Sequence, residues 1–181
     1  MNVENNSILE NIYDLTRIKG IAFDVDGVLS PSTIPIGDDG MPRRMLNVQD
    51  GYAIQLAVKK GLKLAIISGG HSEAVELRYR SLGVEDVFMG ATFKLPVFNQ
   101  WLEQRNLRAS EAIFVGDDIP DLHAMQAAGF SVAPADAAWQ VRDAASYVSP
   151  REGGRGVARD IIERVLTASG LWMDDEHAFG W

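Results

Sequence analysis

Asp24 and Asp26 stand one residue apart at the end of the apolar run Ile21-Ala22-Phe23, and Gly27 follows. Alternate residues of an extended backbone share a face, so the two carboxylates point the same way. Two bare carboxylates so close repel unless a cation or a proton lies between them. The pair asks for a metal, a raised pKa, or both. Three later stretches hold complementary groups. Ser68, Gly69 and Gly70 end the run Leu64-Ala65-Ile66-Ile67, a setting where a hydroxyl and backbone N–H groups hold phosphate oxygens. Lys94 opens a helical segment and brings a positive charge. Asp117, Asp118 and Asp121 follow Ala112-Ile113-Phe114-Val115-Gly116. Asp117 and Asp121 lie one helical turn apart, which suits a hard cation such as Mg²⁺.

Each group also has an ordinary use. Ser68 alone would serve as a helix N-cap, Lys94 alone as a solvated lysine, and Arg43 with Arg44 as an exposed charge pair. His71, His123 and His177 show no ligand spacing.

These residues need elements that bring them to one edge. Short apolar runs alternating with helical segments predict an α/β fold with a doubly wound parallel sheet, whose chemistry gathers at the carboxyl ends of the strands. Helices are expected over 7–17 with Ser7 as N-cap, from a cap at Asp50-Gly51 to Lys60, and over 71–82, 95–104, 118–128, 136–142 and 156–168. Thr33 to Val48 predicts two short strands around Gly37-Asp38-Asp39-Gly40, a β-hairpin projecting over the catalytic edge. No long insertion follows, so this flap, about 31–48, stands in place of a cap domain. The tail, about 171–181, carries Trp172, Met173, Phe179 and Trp181, side chains costly to leave in water, yet termini fray unless docked, so the tail is expected either folded on its own domain or partly disordered.

The 181 residues, 46% hydrophobic, suffice for one domain over 1–181. A net charge of -8 disfavours nucleic acid and anionic membrane surfaces as partners, so any phosphate site is local. The chain has no cysteine, hence no disulfide framework and no thiolate metal site, which suits the cytoplasm. The polar, acidic start is unlike a signal peptide, and no apolar run approaches the roughly 20 residues that span a bilayer.

The ordered set Asp24-Val25-Asp26-Gly27, Ser68, Lys94 and Gly116-Asp117-Asp118-Ile119-Pro120-Asp121 resembles the four motifs of the haloacid dehalogenase superfamily of phosphotransferases. Asn47-Val48-Gln49-Asp50-Gly51-Tyr52, Arg78 with Ser81-Leu82-Gly83, and Gly153-Gly154-Arg155-Gly156-Val157-Ala158-Arg159 extend the likeness to its small, capless 3-deoxy-D-manno-octulosonate (KDO) 8-phosphate phosphatases and their nonulosonate 9-phosphate relatives. It covers residues 15 to 170, about the whole chain.

The resemblance implies a phosphatase that takes a small sugar-acid phosphate, with Mg²⁺ as cofactor, an activity tied to lipopolysaccharide biosynthesis. Asp24 would attack phosphorus and Asp26 act as acid and base. Asp24, the Asp26 carbonyl and Asp117 would hold the metal, with Asp118 and Asp121 behind them. Ser68, Gly69, Lys94 and Arg78 would bind the phosphoryl group. Arg44, Arg151 and Arg155 are candidates for the rest of the substrate, since guanidinium forks suit carboxylates. In the relatives it resembles, the tail reaches a neighbouring subunit's active site in a homotetramer.

Three stretches depart from the octulosonate pattern. Ser68-Gly69-Gly70 replaces Thr-Gly-Arg, Gln49 replaces an arginine, and Ser-Pro-Ser-Thr follows Leu29 instead of Thr-Asp-Gly. Two positive charges are thus missing near the substrate mouth, and a nonulosonate 9-phosphate is a close competitor. Two non-enzyme readings share the fold: a phospho-acceptor receiver, whose acidic pair precedes an acceptor on a later strand, and a silent assembly module, which the full set of motif acids argues against.

Overall fold

The structure, a computed structural model, describes residues 14–180. Six strands form one parallel sheet: β1 (Gly20–Phe23), β2 (Lys63–Ser68), β3 (Asp86–Met89), β4 (Ala112–Val115), β5 (Phe130–Ala133) and β6 (Tyr147–Val148). Their order is β3-β2-β1-β4-β5-β6. Phe23 pairs with Ile66 on one side and Val115 on the other. The winding reverses between β1 and β4, which opens a crevice at their carboxyl ends.

Both faces are covered, so the strands are apolar throughout and alternate only in which layer they fill. Ile21, Phe23, Leu64, Ile66, Ile113 and Val115 pack beneath α1 (Val48–Lys59), α2 (Glu73–Ser81) and the helix of Val157–Ala168. Ala22, Ala65, Ile67 and Phe114 face α3 (Lys94–Gln104), α4 (Leu122–Ala127) and α5 (Trp139–Ala144), where Phe98 meets Phe114 edge-on at 5.4 Å. Numbered in order, the Val157–Ala168 helix is α6.

Several boundaries differ from expectation. Asn47, not Asp50, caps α1: its side-chain oxygen accepts the Gln49 N–H at 2.8 Å. Asp50 lies inside the helix and turns to α6, accepting the Arg159 N–H at 2.7 Å. The segment after Asp118 begins as a 3₁₀ turn, Ile119–Asp121, before α4. The expected hairpin reverses as foreseen, but Ile36 and Pro42 form its one antiparallel bridge in place of two strands. Pro35 and Pro42 have no N–H to donate, so the ladder cannot lengthen. The 7–17 helix falls mostly outside the described residues, which include only its end, a 3₁₀ turn over Leu15–Arg17.

The tail docks on its own domain. Trp172 lies edge-on to Tyr52 of α1, with ring centres 6.2 Å apart, and under the Arg159 guanidinium at 4.6 Å. Lys60 pairs with Asp174 and Asp175, and the Tyr52 hydroxyl donates to the Ala178 carbonyl. Trp181 lies outside the described residues. None of the described helices is long and apolar enough to cross a membrane.

Candidate active site

The two loops that leave β1 and β4 meet over the crevice. Asp24 follows β1 and its N–H donates to the Val115 carbonyl of β4 at 3.0 Å, so the sheet ladder fixes its backbone. Gly27 then takes φ +87°, and a Cβ there would strike the Asp117 carboxylate. Only glycine allows the first acidic loop to approach the fourth this closely. Gly153 and Gly154 back the same turn: a Cβ on Gly153 would meet the Gly27 carbonyl, and the Gly154 N–H donates to the Val28 carbonyl at 2.8 Å.

Asp24, Asp117 and Asp121 each offer a carboxylate oxygen, all within 4.8 Å of one another. Lys94 reaches between two of them. Its Nζ lies 2.8 Å from Asp24 Oδ1 and 2.6 Å from Asp121 Oδ1, and its side chain is 6% exposed. The other Asp121 oxygen accepts the backbone N–H groups of Asp117 and Asp118, at 3.0 and 3.3 Å. Both Asp121 oxygens are therefore engaged, and the residue holds Lys94 and the loop. Asp118 is exposed and accepts the Ile119 N–H at 2.8 Å, a capping role.

One ammonium does not neutralise three acids. Burial pushes Asp24 up to about 7, with repulsion from Asp121 adding to it and Lys94 opposing. Burial likewise pushes Asp117 up to about 8, helped by the charges of Asp24 and Asp121. Desolvation works against the Lys94 charge, yet Asp24 and Asp121 more than compensate and its pKa is raised. Excess buried negative charge with hard oxygen donors fits a divalent cation at Asp24 and Asp117.

Ser68 ends β2 at the same edge. It is buried, and its hydroxyl accepts the Gly70 N–H at 3.2 Å. The Gly90 N–H donates to the Gly70 carbonyl at 3.1 Å and the Ala91 N–H to the Ser68 carbonyl at 2.8 Å. This zipper fixes the loop that leads into Lys94, and Gly69 is exposed beside it.

The arginines are divided. Arg44 is no exposed hairpin charge: its side chain is 7% exposed and forks onto Asp26, with Nε and Nη2 at 2.7 and 2.8 Å from the two oxygens. Arg43 is the exposed one, paired with Asp39. Arg78 lies on α2, its guanidinium 2.8 Å from where a Cβ on Gly51 would stand, and makes no hydrogen bond or ion pair to the acidic cluster among the described residues. Arg151 is exposed, and Arg155 pairs with Glu152 in solvent. Sequence reasoning missed the roles of Asp50, Asp136 and the Gly153-Gly154 pair. Asp136 accepts the Gly153 N–H at 2.8 Å and so steadies the backing of the Gly27 turn. Two adjacent glycines just before a helix were the available signal for that close approach.

A profile of the haloacid dehalogenase-like hydrolases matches residues 51–135. The 3-deoxy-D-manno-octulosonate 8-phosphate phosphatase KdsC of Escherichia coli K12 is 37% identical over 154 residues, 85% of this chain and 82% of that protein. A crystal structure of the phosphatase of that name from Moraxella catarrhalis, in complex with magnesium ion, phosphate ion and KDO, superposes with a TM-score of 0.87 at 31% identity. The match covers 97% of this chain and 99% of that one. The cobalt-bound enzyme of Haemophilus influenzae gives 0.86 at 30% identity, over 92% and 98% of the two chains. This chain belongs to the haloacid dehalogenase superfamily, as a phosphoric monoester hydrolase of the group that contains the 3-deoxy-D-manno-octulosonate 8-phosphate phosphatases.

Proposed function

We propose that the protein hydrolyses KDO 8-phosphate to KDO and phosphate, in a Mg²⁺-dependent reaction through a phosphoryl group carried on Asp24. The observation that carries this reading is the Asp24 carboxylate, pinned through Oδ1 by buried Lys94 within a cluster of three acids at the sheet's switch point. Asp24, Asp117 and the Asp26 backbone carbonyl would hold the metal, with Asp118 and Asp121 behind them. The ion supplies charge neutralisation between two anions, the attacking carboxylate and the phosphate.

The chain's own groups carry the steps. Lys94 fixes the Asp24 carboxylate, whose oxygen forms a bond to phosphorus as the bond from phosphorus to the sugar oxygen breaks. Asp26 gives that oxygen a proton, then takes one from the water that attacks the phosphoryl group, and Asp24 returns as a carboxylate. Such acid-base help is worth about 10²- to 10⁴-fold. Ser68, Gly69, Lys94 and Arg78 would bind the phosphoryl group. Arg44, Arg151 and Arg155 remain the candidates for further contacts to the substrate. The family resemblance supports a homotetramer, in which exposed Ile36, Met41, Met45, Leu46 and Val48 of the flap would be covered. The cytoplasm, where sugar phosphates are made, is the proposed compartment.

The test is phosphate release from KDO 8-phosphate and from nonulosonate 9-phosphates, with Mg²⁺ and with chelator. The expected result is Mg²⁺-dependent turnover, with kcat/KM at least about tenfold higher for KDO 8-phosphate, since one methylene-sized misfit is worth ~1–3 kcal/mol. Preference for a nine-carbon substrate would reassign the sugar, and equal, poor rates on both would point to another phosphate monoester.

A further inference from the structure

Arg44 reaches the catalytic edge from the hairpin, not from the sheet. Both of its bonds to Asp26 engage the one carboxylate that the proposed reaction needs free for proton transfer. The guanidinium also feels the charge of Asp24 and rests on bare backbone. A Cβ on Gly70 would lie 2.5 Å from Arg44 Nη2 and 3.5 Å from Asp26 Oδ2. Gly70 is thus the seat of the arginine, and its own N–H donates to the Ser68 hydroxyl at the phosphoryl cradle. A guanidinium fork fits a phosphate as well as a carboxylate, and the phosphoryl group bears more charge.

We propose that Arg44 is an exchangeable clamp: it forks onto Asp26 until an arriving phosphoryl group takes over the fork, which releases Asp26 and closes the hairpin on the substrate. The clamp rests on the phosphatase reading and deepens it. It makes Asp26 and phosphate competitors for one cation.

Calorimetric titration of inorganic phosphate into the Mg²⁺-loaded full chain tests this through a double-mutant cycle. Arg44→Met should weaken phosphate binding at least about tenfold, the scale of a lost charge-assisted contact. Asp26→Asn should tighten it by about fivefold or more, and that gain should fall below about twofold when Arg44→Met is also present. Simple relief of charge repulsion would give the same gain in both backgrounds, and that result overturns the clamp. Arg44→Lys keeps the charge without the fork and should fall between wild type and Arg44→Met; equality with wild type counts against the exchange. As a second readout, phosphate should slow amide exchange across residues 33–47 in the wild type and leave it unchanged in Arg44→Met, and the reverse pattern refutes the proposal. Wild-type turnover of KDO 8-phosphate is measured alongside. Absence of both turnover and phosphate binding would remove the phosphatase reading with the clamp, whereas turnover and binding without coupling remove the clamp alone.

Discussion

Replacing Lys94 by methionine deletes the only cation bonded to Asp24 and Asp121 among the described residues, and keeps a chain of similar length. Their side chains are 8% and 1% exposed, so water cannot take over. Breaking a buried ion pair by removing one partner costs ~3–5 kcal/mol, because the remaining charge stays uncompensated. That is a large fraction of a domain's ~5–15 kcal/mol. The cost should depend on pH. Asp24 already stands near 7 in the folded chain with Lys94 opposing the rise, and loss of the lysine moves it further up. A carboxyl whose folded pKa is raised binds more protons folded than unfolded, so both proteins lose stability as pH rises from about 4, but the variant goes on losing it above about 7, where wild-type Asp24 has ionised. Urea unfolding without metal should therefore show Lys94→Met destabilised by ~3–5 kcal/mol at pH 8 and by distinctly less at pH 5.5. Mg²⁺ should restore part of the loss, since a second cation enters the same cluster. A loss below about 1 kcal/mol that is flat with pH, the behaviour of an exposed pair, would refute the buried electrostatic account.

Other outcomes follow from the same physics. Asp50 is buried, its Oδ2 has no hydrogen-bond partner among the described residues, and burial lifts its pKa to about 6. The wild type should therefore lose ~3 kcal/mol relative to Asp50→Asn between pH 4 and 7, from a shift of about two units, and a pH-independent difference between the two unfolding curves rules this out. Metal binding displaces protons from Asp24 and Asp117, so Mg²⁺ affinity by calorimetry should climb as pH passes from 6 to 8, with proton release; a flat profile contradicts the raised carboxyls. Trp172→Ala should lower stability by ~1–2 kcal/mol in thermal unfolding, through the lost stack with Arg159 and Tyr52, and an unchanged midpoint would mean the tail is undocked in solution.

What could be read in the chain was whatever is local. The apolar runs ending in Asp24, Ser68 and Asp117 set strands and their carboxyl edge, because a buried strand must be apolar and must stop where polar groups begin. The cap of α1 was misplaced at Asp50, since aspartate is as good an N-cap as Asn47 and only the packing of α1 on α6 decides that Asp50 turns inward. The prolines that shorten the hairpin were visible, but their effect on the ladder depends on which N–H groups the partner needs. Arg44 was ambiguous for the same reason. Its partner lies 18 residues away, and its seat is the missing side chain of Gly70, so neither leaves a periodic trace.

The central claim is that Asp24 carries the phosphoryl group, and trapping it is the direct test. KDO 8-phosphate mixed with excess Mg²⁺-loaded protein, quenched in acid within the first turnover and mapped by peptide mass spectrometry, should place a phosphoryl increment on the peptide containing Asp24. The increment should vanish in Asp24→Asn. Turnover that persists in Asp24→Asn, or a phosphoryl group found on another residue, would contradict the account.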